Sequence, residues 1–293
     1  MPALPPLPEV CRLSATTIRI LAGNPSSFTL QGTNTYLVGT GPSRLLIDTG
    51  EGRPSWLSAL QRTLASESAT VTTAILTHWH HDHVGGVSQL LSICPNTKIY
   101  KAEPASGTDQ LDIHDGQRFQ VEGAAVTAYH TPGHTTDHMV LVLEGEDAMF
   151  TGDNVLGHGT AVFEDLETYV DSLDRMRGLF SGRAYPGHGP VIEDGRAKVA
   201  EYIAHRRGRE EQVVATLRTG GDVSPTPTSS SATNLGSTPM ELVKIIYRDV
   251  PEGLHPAAAR GVVQILKKLE AEGKAVVDGQ DRWRLVTTDR SAL

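Results

Sequence analysis

The segment from Thr77 to His83, with the sequence THWHHDH, constrains the fold of this chain more than any other feature. It follows the apolar run Ala74–Leu76, so it lies where a buried strand ends. His78 and His80 are two residues apart, so their side chains point the same way from an extended backbone. The imidazoles of His78, His80 and His83 and the carboxylate of Asp82 lie so close together that they rarely all find partners in a protein core, whereas two divalent metal ions satisfy them together. The fold must therefore bring a strand end to a metal site.

Three later segments supply further side chains of the ligand type. Thr131–His134 is a turn that ends in histidine, Phe150–Asp153 is a strand end that ends in aspartate, and Tyr185–Gly189 holds a histidine between glycines. Each segment lies just beyond a short apolar run, where strand ends converge. The three candidate ligands are His134, Asp153 and His188.

Short apolar runs separated by Gly, Pro and Asp fill residues 15–190 and predict strands with helices between them. The predicted strands are Ile18–Leu21, Thr35–Val38, Leu45–Ile47, Ala74–Leu76, Lys98–Tyr100, Ala125–Ala128 and Met139–Leu143. The predicted helices are Trp56–Leu64, Val87–Ile93 and Leu166–Leu179. Strands in two blocks with interspersed helices indicate an α/β fold with two sheets covered by helices.

The last quarter of the chain has a different pattern. Residues 220–238 are rich in Ser, Thr, Pro and Gly, which is typical of a linker. Thr238–Glu241 predicts a helix start, with proline at the first helical position and a capping-box glutamate. A second helix with an apolar stripe and then a hairpin follow, as in a winged helix. The predicted parts are a large domain, residues 1–219; the linker, residues 220–238; and a small winged-helix-like module, residues 239–293.

The composition narrows the class of protein and its compartment. The net charge of −8 argues against a broad surface for nucleic acid or membrane. Only Cys11 and Cys94 occur, without C-x-x-C spacing, so neither a disulfide framework nor a thiolate zinc finger is expected. The N-terminal residues resemble no targeting signal, and no apolar run is long enough to cross a membrane. We therefore expect a cytoplasmic protein without a membrane partner, and its oligomeric state stays open.

Taken in order, the histidine string and the three later residues resemble the metallo-beta-lactamase superfamily. The resemblance covers residues 15–200 and implies an α/β fold, the four-layer αβ/βα sandwich, with its site at one edge. It implies that His78, His80 and His134 hold one metal ion, that Asp82, His83 and His188 hold a second, and that Asp153 bridges the two. Lactamases of the superfamily usually carry a cysteine at the last of these positions, so the resemblance implies a hydrolase that does not act on antibiotics.

Two zinc ions are the cofactor that the resemblance implies, although the same donors also suit manganese or iron. A bound metal ion lowers the pKa of water to about 7, and we expect Asp82 to act as the proton shuttle. Asp48 is expected either to hydrogen-bond a ligand histidine or to cap a turn. His158 is a candidate substrate contact or proton donor. Asp137 and His138 are either partners of the ligands or ordinary polar loop residues.

Four further stretches narrow the resemblance to the beta-lactamase-like protein 2 group, over nearly the whole chain. They are residues 28–36, 131–138, 159–166 and 240–247. Two activities are known in that group. Fungal stand-alone thioesterases release an aromatic polyketide, of atrochrysone carboxylic acid type, from the acyl carrier protein of a polyketide synthase, and an animal enzyme cleaves single-stranded RNA. The resemblance therefore implies an acyl carrier protein as the partner, with single-stranded RNA as the alternative.

Charge and composition favour the thioesterase. Residues 239–286 hold eight Lys and Arg against seven Asp and Glu, so this module lacks the basic track that RNA requires. Aromatic residues are only 5% of the chain, which leaves few stacking platforms for bases. A thioester also suits the site, because a thiolate leaves with little need for a general acid. An acyl carrier protein is itself acidic, so charge separates the two alternatives only in part.

Overall fold

The computed structural model describes residues 4–219 and 236–286. Its contacts divide the chain into two compact units, Met1–Tyr202 and Ile203–Leu293. Residues 220–235 of the predicted linker lie outside the described residues, so the predicted domain boundaries at residues 219 and 238 stay predictions.

The first sheet has six strands that lie side by side in chain order. They are β1 (Val10–Arg12), β2 (Thr17–Leu21), β3 (Asn34–Val38), β4 (Ser43–Ile47), β5 (Thr70–Leu76) and β6 (Lys98–Lys101). The first four are joined antiparallel, whereas β4, β5 and β6 are parallel to one another. The carboxyl ends of β4 and β5 therefore meet at one edge, from which the histidine string leaves.

The second sheet has five strands, in the order β11-β10-β9-β8-β7. They are β7 (Arg118–Val121), β8 (Ala124–His130), β9 (Met139–Leu143), β10 (Ala148–Gly152) and β11 (Ala184–Pro186). Only the pair β10 and β11 is parallel, which again places two carboxyl ends together. The segments that carry Asp153 and His188 begin at these two ends.

The two sheets pack face to face around one apolar core. Tyr36 and Ile75 of the first sheet lie in the same buried cluster as Leu141 and Phe150 of the second. Leu141 and its neighbour Val140 are both inaccessible to solvent, and only Leu141 belongs to this cluster. Successive side chains of a strand point to opposite faces, so both faces of the second sheet are covered.

Helices lie between the strands in the chain or follow them. They are α1 (Pro54–Ser66), α2 (His81–Val84), α3 (Val87–Ile93), α4 (Leu166–Arg177) and α5 (Gly195–Arg218). α1 and α3 contribute Trp56 and Leu90 to a second buried cluster on the far side of the first sheet. α4 is fixed at the end of β8 by Ser172, whose Oγ donates to Pro132 O at 2.6 Å. The layers of helix and sheet agree with the predicted α/β sandwich.

The second unit contains a helix pair and a hairpin within its described residues. They are α6 (Pro239–Ile246), a 3-10 helix (Glu252–Leu254), α7 (His255–Ala271), β12 (Ala275–Val277) and β13 (Trp283–Leu285). The predicted capping box is present, because Thr238 Oγ1 accepts from Glu241 N and Glu241 Oε2 accepts from Thr238 N. β12 and β13 pair antiparallel, as the predicted hairpin requires.

Two short edge strands, β1 and β7, are the main difference from the prediction. β1 and β7 were not predicted, because β1 has only three residues and β7 alternates polar and apolar side chains over four. Both are edge strands, and such strands lack the continuous apolar run that marks a buried strand. α4 ends at Arg177, two residues before the predicted end, because Gly178 caps it. Among the described residues, no helix is both long and apolar enough to span a membrane.

Candidate metal centre

Strand ends from both sheets carry the candidate ligands to one place. His78 and His80 follow β5 directly, and α2 carries Asp82 and His83. The remaining three, His134, Asp153 and His188, follow β8, β10 and β11. All seven predicted residues are therefore brought together, although they span more than a hundred positions of the chain.

The seven side chains form two adjoining groups. In each group the candidate ligand atoms lie within 4.8 Å of one another. The first group is His78, His80, His134 and Asp153, and the second is Asp82, His83 and His188.

Asp153 lies between the two groups. Its Oδ2 is 3.2 Å from His188 Nε2 and 3.7 Å from His134 Nε2, and its Oδ1 is 3.4 Å from His83 Nε2. A carboxylate in this position can contact a metal ion in each group.

Three of the histidines are oriented by acceptors at Nδ1. His83 Nδ1 donates to Asp48 Oδ2 at 2.8 Å, and His134 Nδ1 donates to Val162 O at 2.8 Å. His78 Nδ1 is 3.0 Å from the Thr77 hydroxyl, which itself donates to Asp48. A neutral imidazole has one N–H, so each of these rings presents the lone pair of Nε2 to the site.

Ring nitrogens and a carboxylate oxygen point their lone pairs at one another in this site, and this arrangement shows whether metal ions fit these residues. His78 Nε2 and His134 Nε2 both approach His80 Nδ1, at 2.9 and 3.1 Å, and one proton can serve only one of these contacts. His83 Nε2 and Asp153 Oδ1 are buried atoms without a hydrogen-bond partner among the described residues. Cations placed among these atoms would satisfy all of them, so the donor set fits metal ions.

The charges of the site lead to the same conclusion. Burial raises the pKa of Asp153, but the neighbouring His188 and His83 outweigh burial and hold it well below its usual range. Burial likewise raises the pKa of Asp82, but the imidazoles of His188 and His83, each 3.3 Å from its Oδ2, bring it well below its usual range. Both carboxylates are therefore ionised at neutral pH, and buried anions require positive charge beside them.

The histidines divide into two electrostatic classes. Burial and the neighbouring imidazole of His83 lower the pKa of His78 well below its usual value, so His78 is neutral, as a metal ligand must be. Burial also lowers the pKa of His83 and His188, but the carboxylate of Asp153 raises both, that of His188 to about 9. In the absence of metal ions, protonated His83 and His188 would supply positive charge to the second group only. Metal ions can supply positive charge to both groups.

Asp48 hydrogen-bonds a candidate ligand histidine, which is one of the two roles that the sequence offered, and it also fixes the end of β5. Its Oδ2 accepts from His83 Nδ1, and its Oδ1 accepts from Thr77 N at 2.8 Å, which holds the end of β5. Asp48 has φ of 59°, a left-handed conformation that aspartate tolerates better than most residues. His158, in contrast, is exposed, on a loop whose Gly157 N–H donates to His188 O. The predicted substrate contact of His158 stays a prediction.

Several contacts to the ligands were not predicted. His138 was left open by the sequence; it is buried, and its Nε2 accepts from Asp153 N at 3.1 Å. Thr33 Oγ1 donates to Asp82 Oδ2 at 3.0 Å, and Asn34 Nδ2 donates to Pro186 O, just before His188. The segments that hold these residues are distinctive in the sequence, but contacts between residues so far apart in the chain leave no periodic signal.

Comparison with known proteins places this site in a family. Residues 28–188 match the model of the metallo-beta-lactamase superfamily, and residues 238–283 match that of the beta-lactamase associated winged helix domain. The first match covers more than half of the chain. The chain belongs to the metallo-beta-lactamase superfamily. The superfamily, the sandwich fold and the winged helix that the sequence predicted are thereby confirmed, and this member is a metal-dependent hydrolase with a His/Asp cluster.

Fungal members of the superfamily resemble the chain over nearly its full length. Lactamase-like protein adaB of Aspergillus niger is 47% identical over 286 residues, which are 96% of this chain and 89% of that protein. Atrochrysone carboxyl ACP thioesterase of Aspergillus chevalieri is 46% identical over 292 residues, 97% of this chain and 91% of that protein. Lactamase-like protein vrtG of Penicillium aethiopicum is 47% identical over 275 residues, 93% and 87% of the two chains.

Solved structures of other members show the same fold. A metallo-beta-lactamase family protein from Thermus thermophilus has a TM-score of 0.71 at 22% identity, over 94% of this chain and 100% of that chain. A beta-lactamase domain protein from Burkholderia ambifaria has a TM-score of 0.76 at 16% identity, over 94% and 93% of the two chains. At these identities the likeness supports the fold alone.

Proposed function

We propose that this metallo-beta-lactamase superfamily member is a thioesterase that releases an aromatic polyketide acid from the acyl carrier protein of a polyketide synthase. The observation that carries the proposal is the 46% identity, over 97% of the chain, to a protein named as an atrochrysone carboxyl ACP thioesterase. An acyl carrier protein is accordingly the proposed partner.

Two zinc ions are the proposed cofactor. His78, His80 and His134 would hold one ion, Asp82, His83 and His188 the other, and Asp153 would contact both. Bound metal ions supply polarisation of the thioester carbonyl and water with a pKa of about 7. Manganese or iron would accept the same nitrogen and oxygen donors.

Asp82 is the proposed proton carrier. Its side chain is 24% exposed, against 11% for Asp153, so it faces the open side of the site. Thr33 Oγ1 and His188 Nε2 hold Oδ2 at 3.0 and 3.3 Å, and no donor among the described residues reaches Oδ1. Oδ1 is therefore the atom proposed to receive a proton from the attacking water.

The bond changes balance without a dedicated general acid. The water oxygen forms a bond to the acyl carbon, the C–S bond breaks, and the thiolate takes the proton that Asp82 Oδ1 received. A thiol has a pKa of about 8.5, so its thiolate is an adequate leaving group near neutral pH. An amine or alkoxide would need stronger assistance.

A paired assay tests the proposal. The purified protein is given the N-acetylcysteamine thioester of a hydroxynaphthoic acid and, separately, single-stranded RNA, each with and without a chelator. We expect thioester hydrolysis that the chelator abolishes and no cleavage of RNA. Cleavage of RNA without thioester hydrolysis would overturn the proposal in favour of the endoribonuclease.

Asp82→Asn tests the proton carrier in the same assay. Because proton transfer by a positioned side chain contributes about 100- to 10,000-fold, we expect kcat to fall by at least about 100-fold. Glu51→Gln is the matched control, since Glu51 lies on the same open side but pairs with Arg53 and not with the seven candidate ligands. If Asp82→Asn keeps the kcat of the Glu51→Gln control, Asp82 has another role.

A further inference from the structure

A cavity of about 390 Å³ opens beside the metal centre. One wall is Trp79, which stands between His78 and His80 in the chain and has its ring centroid 4.5 Å from that of His80. Trp79 is 51% exposed, although an indole exposed to this extent loses the benefit of apolar burial. Val84 and Ala105 add apolar surface to the same cavity. The cavity therefore offers a flat aromatic face next to the reacting centre.

A buried ion pair lines the same cavity. Lys101 and Asp137 are 8% and 3% exposed, and Lys101 Nζ donates to Asp137 Oδ2. A second hydrogen of Nζ goes to Ala102 O at 2.8 Å, and Asp137 Oδ1 accepts from Thr135 Oγ1 at 2.7 Å. The position of the ammonium group is thus fixed on two sides.

The third hydrogen of Lys101 Nζ has no acceptor among the described residues. An ammonium group has three donors, and leaving one unsatisfied in a nearly buried position is unfavourable. An oxygen atom of a ligand in the cavity would complete this set. The cavity thus combines an aromatic face with one fixed donor for oxygen.

A second cavity, of about 340 Å³, lies on the side of Asp82 and has a different character. Asn24, Ser26, Glu51 and Arg53 line it together with His81, and no tryptophan, tyrosine or phenylalanine does so. The two cavities share no lining residue. Of the two, only the cavity at Trp79 suits a flat, apolar group that carries oxygen atoms.

We propose that Trp79 and Lys101 form the subsite for the acyl group. An aromatic acyl group with phenolic or carbonyl oxygens stacks on Trp79, and one of these oxygens accepts a hydrogen bond from Lys101 Nζ. This assignment rests on the proposed thioesterase function, and it names the residues that select aromatic over short aliphatic acyl groups.

Acyl selectivity is the first test. The ratio of kcat/KM for the hydroxynaphthoyl thioester to that for the acetyl thioester is measured in wild type, Trp79→Ala and Trp79→Phe. Loss of aromatic stacking should lower the ratio by about tenfold in Trp79→Ala, whereas Trp79→Phe should stay within about threefold of wild type. Phe28→Ala is the matched control, because Phe28 is an exposed aromatic residue, 77% exposed, that does not line this cavity. Metal content is measured in each variant, since Trp79 adjoins two ligands.

Binding of the free hydroxynaphthoic acid is the second test and needs no turnover. Trp56 and Trp283 are buried, so Trp79 is the tryptophan that a ligand can reach, and its fluorescence should be quenched in wild type but not in Trp79→Phe. Lys101→Met should weaken this binding by about tenfold, because a hydrogen bond from a charged donor is lost.

The outcomes separate the subsite from the proposed function. If wild type hydrolyses no thioester, the proposed function fails whatever the binding shows. If wild type hydrolyses thioesters but Trp79→Ala keeps the acyl selectivity, or Phe28→Ala loses as much of it, the subsite is wrong. Equal quenching in wild type and Trp79→Phe would overturn it too.

Discussion

At the scale of single residues, the site depends on partners that select which nitrogen of each histidine faces the centre. His78, His83 and His134 present Nε2, because Thr77, Asp48 and the carbonyl of Val162 accept from their Nδ1 atoms. Each acceptor fixes the proton on Nδ1 and excludes the tautomer that is protonated on Nε2. The rings are therefore oriented for ligation before any ion binds.

His80 and His188 differ from those three rings. His80 turns Nδ1 toward the centre, and the Nδ1 of His188 is buried without a partner among the described residues. His188 is instead positioned through its backbone, because its carbonyl accepts from Gly157 N. The site therefore uses both side-chain and backbone contacts to place its ligands.

Asp48→Asn should weaken metal binding at His83 without disturbing the fold. Asparagine tolerates the left-handed φ of 59° but lacks the charge and the second carboxylate oxygen that hold His83 and Thr77 together. Loss of such a partner typically lowers metal affinity by about 10- to 100-fold. Competition against a coloured chelator measures the affinity. Asp115→Asn is the control, since Asp115 is an exposed partner of Arg175, and equal affinities in both variants would contradict the role of Asp48.

At the scale of elements, the short helix α2 must approach the loop after β4 very closely. A Cβ atom on Gly86 would lie 2.1 Å from Thr49 O, and one on Gly85 would lie 2.8 Å from Glu51 O. Real atoms do not approach this closely, so only glycine allows α2 to bring Asp82 and His83 to the site. The glycine pair after the histidine string is thus required by packing.

A second inter-element contact joins the end of α1 to the first sheet. Glu67, which caps α1, pairs with Arg12 of β1 and with Arg44 of β4, whose side chain is 2% exposed. Arg44 also donates to the carbonyls of Gly39, Gly41 and Thr40, so it fastens the turn before β4. The hydrogen bond from Arg12 and the nearby guanidinium groups lower the pKa of Glu67.

Glu67→Gln should destabilise the protein more at pH 7 than at pH 3. A carboxyl group with a lowered folded pKa contributes stability above its unfolded pKa, and this contribution is lost as the pH falls through the folded pKa. We expect a loss of about 1–2 kcal/mol in the free energy of unfolding at pH 7, measured by urea titration. Glu9→Gln, at the exposed pair with Arg62, should change it by less than about 0.5 kcal/mol. An equal loss at both pH values would show that charge is not the cause.

At the scale of the whole molecule, the metal centre joins the two sheets. Its ligands follow β5 in the first sheet and β8, β10 and β11 in the second. Ions held between these ends would bind the folded chain and not the unfolded one, so they would stabilise the sandwich by mass action.

Removal of metal should therefore lower the melting temperature. The purified protein should contain about two metal ions per chain by elemental analysis, and a free ion concentration 100-fold above Kd would add about 2.7 kcal/mol of stability. Calorimetry with and without chelator measures the shift. The same chelator should shift the His83→Ala variant much less, because one group is already incomplete. A single ion or none per chain would contradict the proposed binuclear centre.

Prediction from the sequence succeeded where a signal is local. Strands β2 to β6, β8 and β9 were visible as short apolar runs, and α6 as a capping box with proline at its start. The edge strands β1 and β7 were missed, because an edge strand exposes part of its surface and needs no continuous apolar run. The winged-helix pattern was readable for the same local reason, since its helices and hairpin are each set by near neighbours.

The sequence by itself determined which seven side chains are candidate ligands, because the string from His78 to His83 is local and the other three follow recognisable strand ends. Only the tertiary structure decided how those side chains are oriented and what lies beside them. Asp48 and His83 are 35 positions apart, and Lys101 and Asp137 are 36 apart, so each pair meets only once the sheets have formed. A periodic pattern records the face on which a residue lies, whereas a contact between distant residues depends on the packing of whole elements.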